Sequence, residues 1–220
     1  MQLSEFLKKI EWLETDHPYG SACVRINSEI VIYFDPVSLS EENMKKKADL
    51  ILLTHSHEDH FSVETLENLV KPTTIIVCPF DCEEKLLQDH FDFNIYIIKT
   101  GETVKLNRVR IKAIPAYSSS AHPNSAGWVG YIIELNDFRI YHSGDSGFIP
   151  EMNDLKNIDI SFLTVREPYM MSPKEILQAV NTFKPKILIP IHWIKEEKES
   201  IDYIIENSPK STRVIILEMK

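Results

Sequence analysis

Residues 49–60 read Asp49-Leu50-Ile51-Leu52-Leu53-Thr54-His55-Ser56-His57-Glu58-Asp59-His60. The apolar run is strand-length and too continuous for a half-exposed strand, so it reads as a strand buried on both faces. A loop of histidines and carboxylates leaves its end, and a helix follows with Ser62 as its N-cap and Leu66, Leu69 and Val70 on one face. Residues two apart in extended backbone point the same way, so His55 and His57 can share one metal ion. Asp59 and His60, where the chain turns into the helix, can face a second. Neutral imidazole and carboxylate are the donors that zinc, iron and manganese accept.

On the N-terminal side of this strand, Ile10–Leu13, Ala22–Ile26 and Ile30–Phe34 are short apolar or alternating runs that read as strands, separated by the Asp16–Gly20 loop and Asn27-Ser28. On the C-terminal side a strand at Thr74–Val77, a helix at Cys82–His90 and a strand at Ile95–Ile98 follow. Val109–Ala113, Val129–Leu135 and Arg139–Tyr141 then form an antiparallel series, with Asn136-Asp137 as the last turn. Ile158–Leu163, Pro173–Thr182, Ile187–Ile191, Lys195–Ile205 and Val214–Leu217 alternate strand and helix. A β-rich stretch followed by βαβαβ therefore occurs twice. The order suits an α/β, four-layer αββα sandwich of two mixed sheets, and not a doubly wound sheet, which lacks long antiparallel meanders. No linker or repeat divides the 220 residues, so one domain over 1–220 is expected.

The composition is globular: 43% hydrophobic and 26% charged, with a net charge of −9. The negative balance disfavours recruitment of a phosphate backbone, so no nucleic-acid partner is expected. No apolar run approaches the ~20 residues of a membrane span, and Met1–Ile10, with Glu5, Lys8 and Lys9, does not read as a signal peptide. A cytoplasmic protein is expected, its oligomeric state open. Cys23, Cys78 and Cys82 read as reduced thiols. The richness in Lys and Glu with only three Gln leans towards thermal stability.

A second metal needs ligands from elsewhere. Asp145 follows the strand-like Ile140-Tyr141-His142 in a Ser143-Gly144-Asp145 turn, where a carboxylate can bridge two ions. His192 ends the apolar strand Lys186–Ile191, the position where ligands bind in α/β folds. His122, in the polar loop Tyr117–Pro123, is preferred over His90, which ends a charged helix where a cation is adequately explained by the helix dipole. His142 reads as a histidine that supports the ligands from behind or serves the structure, and His17 as a non-ligand.

Taken together, His55-Ser56-His57-Glu58-Asp59-His60, His122, Gly144-Asp145 and His192 resemble, in order and over nearly the whole chain, the motifs of the metallo-β-lactamase superfamily. The resemblance implies that His55, His57 and His122 hold one metal, that Asp59, His60 and His192 hold the other, and that Asp145 bridges them. It implies two divalent ions, zinc first with manganese or iron as alternatives. Ile32-Tyr33-Phe34-Asp35-Pro36, Gly127-Trp128-Val129-Gly130-Tyr131 and Ile140–Asp145 look closest to the branch containing the ascorbate-6-phosphate lactonase and the N-acyl-phosphatidylethanolamine phospholipase. Two departures stand out: Gly20-Ser21 where that branch often has Gly-His, and Gly144-Asp145-Ser146 where it often has Gly-Asp-Thr.

The resemblance and the donor set lead to one expectation: a hydrolase that directs a metal-bound hydroxide at a small ester-type substrate, such as a phosphodiester or lactone. Asp59 would orient the hydroxide. Tyr117, Tyr169, Met171 and Trp193 are the expected substrate contacts, with Tyr117 a candidate proton donor. The competing readings are a non-catalytic metal-binding or interaction domain, a nuclease and a redox di-iron protein. The first sits poorly with a complete ligand set, the second with a chain expected to have no room for an RNA-binding arm, and the third with the unaltered His-x-His-x-Asp-His ligands.

Overall fold

A computed structural model describes residues 1–88, 93–106, 108–119 and 121–220. Two compact units form, residues 1–98 with 217–220 and residues 99–216.

The first unit contains α1 (Leu3–Leu7), β1 (Ile10–Trp12), β2 (Val24–Asn27), β3 (Val31–Phe34), α2 (Glu41–Met44), β4 (Leu50–Leu52), α3 (Val63–Leu69), β5 (Ile75–Cys78), α4 (Phe80–Gln88) and β6 (Asn94–Ile97). Its six strands lie in chain order. β1, β2 and β3 pair antiparallel, and β3 through β6 pair parallel. Every residue of β3 and β4 is buried, as the unbroken apolar run of β4 demands. Phe34 stands opposite Leu52, so Asp35 and Thr54 leave the sheet side by side. The Ser62 side chain accepts from Thr65 N and starts α3, while Leu66, Leu69, Ile51, Leu53, Cys78, Cys82 and Leu86 share one apolar core. At the far edge Met219 bridges to Trp12, and Lys220 N donates to Trp12 O at 3.0 Å, so the C-terminal residues cover the β1 edge.

The second unit contains β7 (Thr103–Leu106), β8 (Val109–Pro115), β9 (Val129–Leu135), β10 (Phe138–His142), β11 (Ile160–Thr164), α5 (Pro173–Phe183), β12 (Ile187–Ile191), α6 (Lys198–Asn207) and β13 (Arg213–Val214). Its seven strands again lie in chain order. β7 to β10 form an antiparallel meander and β10 to β13 pair parallel. Asn136 and Asp137 take φ of 52° and 66°, the left-handed pair that a tight hairpin turn needs. α5 starts in a full capping box between Ser172 and Glu175. Its Ile176, Ala179, Val180 and Phe183 pack on Tyr141, Leu163 and Leu188.

The two mixed sheets and their helices match the α/β expectation. The short strand β7 is an addition: Thr103-Val104-Lys105-Leu106 alternates exposed and half-buried, too brief and too polar to stand out as a strand. The predicted helix over 195–205 divides into a 3-10 turn, Lys195–Glu197, and α6. The predicted Cys82–His90 helix is α4, and His90 lies outside the described residues.

Gly130 in β9 tolerates no side chain. A Cβ there would stand 2.6 Å from both His142 O and Ser143 O, backbone atoms of the segment that leads to Asp145. Gly130→Ala should destabilise the protein by about 1–3 kcal/mol through overpacking, read from the midpoint of urea unfolding.

Candidate metal centre

The ligand candidates of the first unit hang from the end of β4. Thr54 N donates to Asp35 Oδ1 and Thr54 Oγ1 to Asp35 Oδ2, each at 2.7 Å. His60 Nδ1 lies 2.9 Å from Asp35 Oδ2, and His55 Nδ1 lies 2.9 Å from Thr54 Oγ1. Counting protons settles both imidazoles. A carboxylate only accepts, so His60 Nδ1 carries the hydrogen. The single Thr54 hydroxyl proton is given to Asp35, so His55 Nδ1 donates to Thr54 Oγ1. As neutral imidazoles, the form that binds a metal, both histidines then carry the lone pair on Nε2. Asp35, Thr54, His55 and His60 are all buried.

The lone pair of His55 Nε2 stands 3.1 Å from His57 Nδ1, and the His55 ring centroid is 4.2 Å from that of His60. Asp59 Oδ2 lies 3.9 Å from His60 Nε2, with 15% of its side chain exposed. Imidazole nitrogens and a carboxylate crowded at this range, with orienting groups behind them, suit a divalent cation.

In the second unit Asp145 follows Gly144, whose φ of 58° turns the chain out of β10. His142 Nδ1 accepts from Gly144 N at 3.1 Å and holds that turn, a structural role. Asp145 presents its two oxygens to different histidines: Oδ2 is 3.3 Å from His122 Nε2 and Oδ1 is 3.9 Å from His192 Nε2. His122 rides on a loop closed by Ser118 N to His122 O at 3.0 Å and His122 N to Ser119 O at 3.1 Å. Gly147 N donates to Tyr117 O at 2.9 Å, which sews this loop to the Asp145 turn. His192 takes φ of 63° as it leaves β12. All three side chains are buried. Across the described residues, His55, His57, Asp59 and His60 of the first unit and His122, Asp145 and His192 of the second are the histidines and carboxylates able to hold a metal.

The expected substrate contacts divide. Tyr169 is 50% exposed, and Trp193 is half-buried against the core with its Nε1 donating to Pro190 O at 3.2 Å. The Tyr117 hydroxyl donates to Glu151 Oε2 at 3.0 Å. Burial first, and then the hydrogen bond to and charge of Glu151, push this phenol above its ordinary value, so it stays protonated at neutral pH. Met171 is a correction: it is fully buried within the core of the second unit, and a side chain without solvent access cannot line an open rim. The three cysteines are free and buried. Asp35 and Thr54 are the functional residues that spacing alone did not single out; Phe34-Asp35-Pro36, an acid ending an apolar strand, was their only signal.

The sequence model of the Beta-lactamase superfamily domain matches residues 17–192. The chain is similar to the UPF0173 metal-dependent hydrolase of Thermoplasma acidophilum, 31% identical over 80% of this chain and 81% of the relative. It is also similar to the UPF0173 metal-dependent hydrolase of Caldivirga maquilingensis, 29% identical over 83% and 82%. Among solved structures it resembles a candidate metal-dependent hydrolase of Parabacteroides distasonis, with TM-score 0.78 and 30% identity over 92% of this chain and 91% of that one. A metallo hydrolase of Ignicoccus hospitalis shares the fold, with TM-score 0.74 and 21% identity over 95% of each chain.

Asp35→Asn replaces one carboxylate oxygen by an NH2 group, so the side chain cannot accept all three of the Thr54 N–H, Thr54 O–H and His60 N–H hydrogens. Zinc affinity should fall by about 10–100-fold while the circular dichroism spectrum is retained, as measured by competition with a chromophoric chelator.

Proposed function

We propose, from the premise that this chain belongs to the beta-lactamase superfamily and is a metal-dependent hydrolase, that all 220 residues act as one domain with a dinuclear centre that cleaves a small ester-type substrate. In this reading His55, His57 and His122 serve one ion, Asp59, His60 and His192 serve the other, and Asp145 bridges. The observation that carries it is the Asp35–Thr54 relay, which engages Nδ1 of His55 and of His60 and so makes Nε2 the nitrogen each would offer to a metal. Zinc suits this thiolate-free set, and manganese and iron also accept such donors.

Divalent ions, once bound, acidify water towards neutral pH and neutralise charge that develops on a carbonyl or phosphoryl oxygen. The protein's own groups do the rest. Asp59, beside His60 and still partly open to solvent, orients the attacking water and holds its proton at Oδ. Asp145, with one oxygen facing His122 and the other facing His192, would serve both ions. Tyr117 stays neutral and donates a hydrogen bond; its proton is committed to Glu151, so it positions rather than attacks. Tyr169 and the fixed ring of Trp193 offer apolar surface to the non-reacting part of the substrate.

A phosphodiester or lactone fits better than nucleic acid, because a chain of net charge −9 opposes a polyanion. Among the described residues no helix is long and apolar enough to cross a membrane.

Elemental analysis after reconstitution should give up to two ions per chain, and metal-loaded protein should cleave members of a panel of phosphodiesters, lactones, thioesters and esters. Asp145→Ala should lower both metal content and rate further than His192→Ala, which touches one ion. Efficient cutting of structured RNA with every small substrate left intact overturns the small-substrate reading. Equal activity in wild type and Asp145→Ala overturns the site.

A further inference from the structure

The peptide groups of Ser56, the residue between His55 and His57, are both taken by side chains of one helix. Asp81 Oδ2 accepts from Ser56 N at 3.1 Å, and Lys85 Nζ donates to Ser56 O at 2.5 Å. Asp81 and Lys85 are four residues apart on α4, the spacing that sets two side chains on one helix face. The Lys85 ammonium also stands 5.7 Å from the centroid of the Phe61 ring, and Phe61 directly follows His60. One lysine therefore touches the His-rich loop near its beginning and at its end. α4 can act as a fixed post because Cys82 and Leu86 are buried in the core of the first unit.

We propose that Asp81 and Lys85 are positioning residues: they clamp the Ser56 peptide so that the His55 and His57 rings stay aligned for one cation. The proposal rests on the metal-centre reading above and extends it to two residues that donate nothing to a metal. Side chains two apart share a direction only while the residue between them stays extended. Residues 53–57 belong to no strand or helix, so no ladder holds Ser56 in that shape. Ser56 is 8% exposed, and buried peptide groups need partners; Asp81 and Lys85 supply both from one side. The same extended peptide brings His55 Nε2 to 3.1 Å from His57 Nδ1.

The test uses the full chain, stripped of metal and titrated with zinc against a chromophoric chelator. Asp81→Ala and Lys85→Met should each weaken zinc binding about tenfold, the lower end of the range for groups that orient ligands. Asp81→Asn, which keeps an acceptor oxygen, and Lys85→Arg, which keeps a cationic donor, should bind close to wild type. Amide hydrogen exchange on metal-free protein gives a second readout. Ser56 N–H should exchange faster in Asp81→Ala, while Thr54 N–H, held by Asp35, keeps its protection. Unchanged zinc affinity in both Asp81→Ala and Lys85→Met overturns the clamp, and so does joint loss of protection at Ser56 and Thr54, the mark of general loosening. Wild-type protein that takes up no zinc, manganese or iron overturns the metal-centre reading instead, and the Ser56 exchange then judges the clamp alone.

Discussion

The arrangement depends on one buried carboxylate. Asp35 ends β3 at a backbone φ of 43°, a left-handed conformation that costs a residue with a side chain about 1–2 kcal/mol. That turn aims the carboxylate across at the end of β4, where it receives the Thr54 amide, the Thr54 hydroxyl and the His60 ring. A buried carboxylate is tolerable when each lone pair is used. Here the same bonds that satisfy Asp35 dictate the tautomers of two histidines. Folding of the strand ends and preparation of the site are one event.

The second unit repeats the plan with different chemistry. Its first parallel pair is β10 and β11, as β3 and β4 are in the first unit. Thr164, one strand over from the Asp145 turn, takes the place that Thr54 holds beside Asp35: Thr164 N donates to Ser143 Oγ at 3.2 Å and Thr164 Oγ1 to Gly144 O at 2.7 Å. A hydroxyl stands at the strand end where the first unit has a carboxylate, and the carboxylate arrives two residues later as Asp145. The orienting group is thus neutral in one unit and charged in the other, and the acid freed from orienting becomes a candidate ligand. Both sheets offer side chains at the carboxyl ends of parallel strands, where backbone is rigid up to the last residue and free beyond it.

Constrained backbone also stands beside the candidate ligands. Besides Asp35, His192 leaves β12 with a positive φ, and Gly130 admits no Cβ against the backbone before Asp145. Such features persist where surrounding structure holds them. Here the surroundings are the apolar clusters beneath each sheet, which in the second unit include the fully buried Met171.

Much of this was legible in the sequence because it rests on periodicity and spacing, which are local. The unbroken apolar runs at Leu50–Leu53 and Ile187–Ile191 declare buried parallel strands; the alternating segments around Asn136-Asp137 declare a meander; His-x-His-x-Asp-His declares a metal-ligand loop. What stayed hidden depends on residues far apart in the chain meeting in space. Asp35 is one acid at the end of a strand until it meets Thr54 and His60, 19 and 25 residues on. Asp81 and Lys85 look like ordinary charges on a helix until α4 docks against Ser56. Met171 reads as rim and Thr103–Leu106 gives no strand signal of its own, because burial and edge pairing are decided by neighbours that no short window contains. The sequence by itself determined most of the strands, the turns and the candidate donor atoms; only the tertiary structure decided which groups aim those donors, since hydrogen bonds between distant strand ends exist only after the sheets have formed.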